Sequence, residues 1–258
     1  MTKIEQLAEK IFEKYGNIKR ARGSYLYTEK GARLLDLFQE NGRAILGWGG
    51  SSAFTMLKNS LNRGFTGSFK TSAFYRLQKS VSELLSGERK VFVYYKKEDA
   101  EKVSRDFFGK DAAEYKPWAE NLPEVINSDA VIFEPCLPWT GGIFLLAVKA
   151  EYANDVPHEK IPAPLEEAVT RSVYNLISAI QYRSEKDWFI YDQILTKYWL
   201  RKGPYLFPKV PESKYEAFAD HCLSLGICIN PEYKAVSIVP FGADKGALNV
   251  LKKNPFEF

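Results

Sequence analysis

The chain has 258 residues, 45% of them hydrophobic and 26% charged, with 15 tyrosines and 17 phenylalanines. That much apolar side chain can build a substantial core, which excludes a disordered polymer. The formal charge of +4 is spread thinly, and clusters such as Lys96-Lys97 and Lys252-Lys253 are too short for a nucleic-acid track, so no nucleic-acid partner is expected.

Three cysteines, Cys136, Cys222 and Cys228, form no C-x-x-C pair and make a poor disulfide framework, which fits a reducing cytoplasm. The opening Met1-Thr2-Lys3-Ile4-Glu5 lacks the apolar run of a signal peptide, and no stretch is long and apolar enough to span a bilayer. A cytoplasmic chain with no membrane partner is expected.

In chain order, residues 2–15 read as an amphipathic helix. Thr2 and Glu5 form a capping-box pattern, Ile4, Leu7, Ala8, Ile11, Phe12 and Tyr15 recur at helical spacing, and Gly16 is the stop. Ser24–Thr28 and Arg33–Leu37 read as strands of a hairpin around Glu29-Lys30-Gly31. A glycine-rich break at 47–52 precedes helices expected over 52–62 and 71–86. Lys90–Tyr95 reads as a buried strand, 97–108 as a helix and Ala130–Phe133 as a further strand, an order that suggests an α/β layer.

Residues 155–164 hold three prolines and read as a linker. Leu165, Val169, Val173, Leu176, Ile177 and Ile180 then mark a long helix with Pro164 in its first turn. Ser213 and Glu216 suggest another capping box, with Gly226 ending that helix. Residues 226–229 and 235–239 are strand candidates.

Several of these segments carry a resemblance. Arg22-Gly23-Ser24-Tyr25-Leu26-Tyr27 followed by Gly31-Ala32-Arg33-Leu34-Leu35-Asp36 resembles a "G-x-Y-L-x-D-x-x-G-x-R-Y-L-D" hairpin. Gly42 to Trp48 stands where a glycine, an apolar stretch and "L-G-H" would follow. Ala130-Val131-Ile132-Phe133-Glu134-Pro135 is similar to "A-V-I-x-E-P", and Leu225–Pro231 with Val236–Pro240 is similar to "G-x-x-V-x-P … L-R-L-x-P-P". This ordered set resembles the class III aminotransferases, the group of the ornithine, acetylornithine and 4-aminobutyrate enzymes.

The resemblance implies an α/β chain of the pyridoxal-phosphate (PLP)-dependent transferase type, aspartate aminotransferase fold type I. Residues 1–45 with 190–258 would form a small α/β lobe and 46–189 a reduced large domain. It also implies a homodimer with the site at the subunit interface, near the aromatic segment Phe65, Phe69, Phe74 and Tyr75.

PLP chemistry needs a Schiff-base lysine, a carboxylate for the pyridine nitrogen and a loop of small residues for the phosphate. The family's "S-G-T/A-E-A" loop falls here on Tyr95-Lys96-Lys97-Glu98-Asp99-Ala100, where bulky side chains obstruct close backbone approach. The "D-E" strand has no counterpart. Pro135–Gly142 matches either the family's lysine turn or its "E-P-x-x-G-x-G-G" stretch; both alignments leave the Schiff-base lysine unassigned, and Lys149 is the weak catalytic candidate.

The expectation is therefore a degenerate relative with no cofactor, acting in ligand binding or interaction. Its remnant cleft would be lined by Trp48, Tyr94, Tyr95, Lys96, Lys97 and Trp139. The alternative is an active PLP transaminase using Lys149. His158 and His221 offer neither metal-ligand spacing nor a triad, so no metal is expected.

Overall fold

The computed structural model describes residues 1–49, 51–64, 69, 71–139, 141–152 and 155–258, without the side chain of Ser51. Helix α1 (Lys3–Tyr15) starts where its capping box directs. Thr2 Oγ1 accepts from the Glu5 amide at 3.1 Å and Glu5 Oε2 accepts from the Thr2 amide at 2.7 Å. Gly16, at φ +72°, ends it in a conformation that favours glycine.

Then come β1 (Ile18–Arg22), β2 (Tyr25–Thr28) and β3 (Arg33–Asp36), followed by α2 (Ser51–Asn62) and α3 (Ala73–Leu84). Next are β4 (Arg89–Tyr94), α4 (Lys97–Phe108), β5 (Ala113–Glu114), α5 (Leu122–Asn127), β6 (Ala130–Phe133) and β7 (Phe144–Lys149). The chain continues through α6 (Ala163–Tyr182), α7 (Lys186–Phe189), α8 (Asp192–Leu195), β8 (Trp199–Lys202) and β9 (Tyr205–Pro208). It closes with α9 (Glu212–Ser224), β10 (Ile227–Cys228), β11 (Ser237–Ile238) and α10 (Asn249–Lys253).

The chain divides into two compact units, residues 1–49 with 183–258, and residues 50–182. The first unit holds two sheets, ordered β1-β2-β3-β10 and β11-β9-β8. Its β2–β3 ladder is antiparallel and in register (Tyr25 opposite Leu35, Tyr27 opposite Arg33), while β10 joins β3 in parallel. Leu26, Leu34, Phe38, Ile11, Leu223 and Cys228 form its core beneath α1. β1 is a strand that the sequence did not suggest, because Ile18-Lys19-Arg20-Ala21-Arg22 is almost wholly exposed and lacks apolar alternation.

The second unit is built on the sheet β4-β7-β6-β5. β7 runs antiparallel to both β4 and β6, so the layer is mixed where strand–helix–strand order suggested a simple α/β alternation. Leu145, Leu146, Ala147 and Val148 of this central strand are fully buried. α2 and α3 pack on α6. Leu77 and Val81 are buried there, Ser52 Oγ donates to Asn175 at 2.7 Å, and Arg76 meets the buried Glu167 at 2.9 Å.

Two local expectations are corrected. α9 begins at Glu212 with Pro211 as its cap, so Ser213 lies inside the first turn, and Glu216 turns outward to Lys3 at 2.7 Å. With Pro211 at the cap, the helix starts two residues before a Ser213 box would start it. The proline-rich segment 155–162 is also no free linker. The Glu159 amide donates to the Val93 carbonyl at 2.8 Å, and Val156 and Ile161 are buried along the β4 edge.

Candidate functional site

Strand β4 ends on Tyr94, and Tyr95 is the first residue of the bend that follows it. Tyr94 is buried against α4 and donates its hydroxyl to the Pro157 carbonyl at 2.9 Å. Burial, with Asp99 nearby, pushes its phenol up to about 12. Tyr95 faces the other way, 48% exposed, with its hydroxyl 3.3 Å from the Lys160 carbonyl.

Against Tyr95 lies the turn that follows β6. Gly142 there has φ +79°, and a side-chain carbon on it would stand 3.6 Å from the Tyr95 carbonyl oxygen. Glycine thus serves both conformation and close approach. This turn presents Trp139, 42% exposed.

Tyr95 and Trp139 share a cavity of about 650 Å³ with Leu57 and Leu61 of α2, Ile143, and Pro162, Pro164 and Leu165 at the start of α6. The size suits a small-molecule site. No described lining residue carries a charge.

The other expected cleft residues go elsewhere. Trp48 belongs to the first unit, where its indole N–H donates to Asp36 Oδ2 at 2.6 Å and its ring packs on the core beneath α1. It is a structural residue of that unit. Asp36 is fully buried and also accepts from the amides of Phe38 and Gln39, each at 2.9 Å. Desolvation raises its carboxyl to about 6, against the lowering pull of those three donors.

These contacts tie down Gln39, Glu40 and Asn41, three consecutive non-glycine residues at positive φ. The Asn230 side chain adds a bond to Asn41 at 2.8 Å. Neither the Asp36–Trp48 bond nor this strained turn was legible beforehand; the hairpin motif merely ended on Asp36.

At the strand-to-helix turn, Lys96 is the exposed N-cap residue of α4 and Lys97 opens the helix, reaching Glu114 at 3.4 Å and Glu101 at 3.8 Å. Glu98 and Asp99 occupy the first helical turn. Carboxylates there already complement the helix dipole, so an anion at that N-terminus would meet like charge. The residues do not fit a phosphate.

Lys149 is far from this turn. It ends β7 opposite Arg89, whereas Phe144, which pairs with Tyr94, lies about 17 Å away along the strand. Its amine meets Asp129 at 2.9 Å, and Lys110 takes the other carboxylate oxygen at 2.7 Å. Hydrogen bonds from Lys110 and then Lys149 hold Asp129 down at about 2. Lys149 is thus held in an ion pair with Asp129, at the end of the sheet opposite Tyr94.

The aromatic segment is only partly visible. Phe65 lies outside the described residues, Phe69 is exposed, and Phe74 packs edge-on against Tyr75 at 6.0 Å between ring centroids. His158 bonds the Val156 carbonyl and His221 the Asn254 carbonyl. Among the described residues no cluster of His, Cys, Asp or Glu is placed to hold a metal, and no helix is long and apolar enough to cross a membrane.

No family model matches the sequence. An uncharacterized protein of Treponema pallidum is 27% identical, the match covering 92% of this chain and 93% of that protein. One from Borreliella burgdorferi is 25% identical, covering 92% and 88%.

Solved structures give a sharper likeness. An ornithine aminotransferase from Plasmodium yoelii superposes with a TM-score of 0.66 at 11% identity, covering 98% of this chain and 97% of that one. An acetylornithine aminotransferase from Elizabethkingia anophelis gives 0.65 at 12%, covering 95% and 96%. A glutamate-1-semialdehyde aminomutase from Pseudomonas aeruginosa gives 0.66 at 10%, covering 95% and 88%. Likeness at such low identity is one of fold: the chain has the α/β fold of the PLP-dependent aminotransferases, fold type I.

Proposed function

We propose that this protein is a non-catalytic relative of the class III aminotransferases, reduced in its large domain, which uses the remnant of the cofactor cleft to bind a small uncharged ligand. The observation that carries the reading is the cavity between Tyr95 and Trp139. It lies beside Tyr95–Ala100, the stretch onto which the resemblance puts a phosphate loop, yet no described lining residue is charged. A pyridine ring with a phosphate needs a cation or a cup of free amides, a carboxylate and an amine.

Lys96, Lys97, Glu98 and Asp99 replace the cup, and Lys149 is paired with Asp129. The lining instead suits a flat apolar molecule, with Trp139 and Tyr95 supplying ring faces and Leu57, Leu61 and Leu165 the apolar walls. We further propose a homodimer in the cytoplasm, as the resemblance implies.

The test is a binding competition on the full chain. A neutral flat fluorophore such as 1-aminoanthracene is expected to bind, to lose its site on Trp139→Ala, and to resist displacement by PLP. Displacement by PLP at stoichiometric amounts would contradict the reading and favour an active enzyme.

A further inference from the structure

Folding gathers a set of arginines that the linear sequence keeps apart. In the first unit, directly opposed residues of β1, β2 and β3 share a face, so Arg20 and Arg22 of β1, Tyr25 and Tyr27 of β2, and Arg33 of β3 lie on one side of the hairpin sheet, which the Asp244 amide and the buried Leu35 close off at the Tyr25 end. Leu26, Leu34 and Ala21 face the core. The Arg20 guanidinium lies 4.4 Å over the Tyr27 ring and that of Arg33 lies 4.4 Å over the Tyr25 ring.

Stacking fixes the planar groups while leaving their N–H edges free, the arrangement that receives a carboxylate in bidentate fashion. Arg20, Arg22 and Arg33 are all exposed, and among the described residues none pairs with a carboxylate. Three exposed cations on one face, beside a β1–β2 ladder whose register shifts between Ile18 and Arg20, call for an anionic partner.

The neighbouring strand edge indicates what kind. β1 is the outer strand of its sheet and makes no backbone hydrogen bond along its free edge among the described residues. Its exposed arginines recur every second residue, about 7 Å apart, which is the repeat of side chains on one face of an extended peptide. Like charges opposite each other disfavour pairing of β1 with a second copy of itself. The same charges favour a strand with alternate Asp or Glu.

We propose that β1 docks an extended acidic segment of a partner protein. The segment would add as a strand to the free edge, with alternate carboxylates meeting Arg20 and Arg22, while Arg33 lies two strands further in. Main-chain pairing supplies affinity and the arginines supply selection. A nucleic acid could use the charge but not the strand edge.

The test uses the full chain and the fluorescence anisotropy of a short labelled peptide of alternating Glu and Val. Binding at low salt is expected, weakened about fivefold by Arg20→Gln and again by Arg22→Gln. The double variant Arg20→Glu/Arg22→Glu is expected to prefer a Lys–Val peptide.

Methylating alternate peptide nitrogens blocks strand addition without touching the protein, and is expected to abolish binding. Failure of the acidic peptide to bind would overturn the proposal. So would binding that survives N-methylation, or equally tight binding of oligothymidylate or of a peptide with its Glu and Val residues in separate blocks.

Discussion

The hairpin of the first unit and the strand-to-helix turn of the second both fall on patterns of the resembled family, yet they behave differently. In the hairpin, Tyr25, Leu26, Leu34 and Asp36 keep their places because the fold itself uses them: Leu26 and Leu34 fill the core and Asp36 ties three donors. At the turn, Tyr95, Lys96 and Lys97 stand where small residues would serve a phosphate, and the helix folds regardless from Lys97. The residues that match the resembled pattern in the hairpin are ones the scaffold uses, whereas those at the turn are not needed to start the helix.

The largest expected effect lies in the hairpin. Asp36→Ala leaves the amides of Phe38 and Gln39 and the Trp48 indole without their acceptor, and should destabilise the first unit by about 3 kcal/mol in a denaturant titration. A loss near zero would mean the turn at 39–41 holds itself.

A pH series sharpens the same point. The folded Asp36 carboxyl is raised from 3.8 to about 6. Its neutral form is therefore favoured by folding. That contribution is fully present below 3.8 and is lost as pH rises through about 6. Asp36→Asn keeps an acceptor for the two backbone amides but cannot ionise. Its melting temperature should fall less than that of the parent chain between those pH values. An unchanged pH slope would relocate the titrating group.

At the turn the expected effects are smaller. Trp139→Ala should leave stability within about 1 kcal/mol, because the ring is 42% exposed, while removing ligand binding at the cavity. A large loss of stability would make Trp139 a scaffold residue and erase the contrast between the two regions. Lys149→Ala breaks a solvent-screened pair with Asp129, and only a small loss of stability is expected in the same titration.

Much of the scaffold was readable because local chemistry determined it. The Thr2–Glu5 box, the Gly16 stop, and the apolar spacing of Leu77, Val81 and Leu84 all operate within one helix or one turn. The pair β8 and β9 was missed because Leu200 and Phe207 face solvent while Trp199 and Leu206 are buried, which blurs the apolar run.

The site was legible only in part. Tyr95 and Trp139 were expected together and are together. The remaining walls come from α2 and from residues 162–165, segments whose meeting depends on how α6 packs. Trp48 had the composition of a cleft residue, but its hydrogen bond to Asp36 depends on a turn that no short-range pattern discloses.

The most direct test of the central claim is borohydride reduction of the full chain in the presence of PLP, followed by mass mapping of the modified lysines. The account predicts sparse adducts scattered over exposed lysines, with no stoichiometric visible band. A stoichiometric band fixed onto one lysine, Lys149 or another, would contradict it.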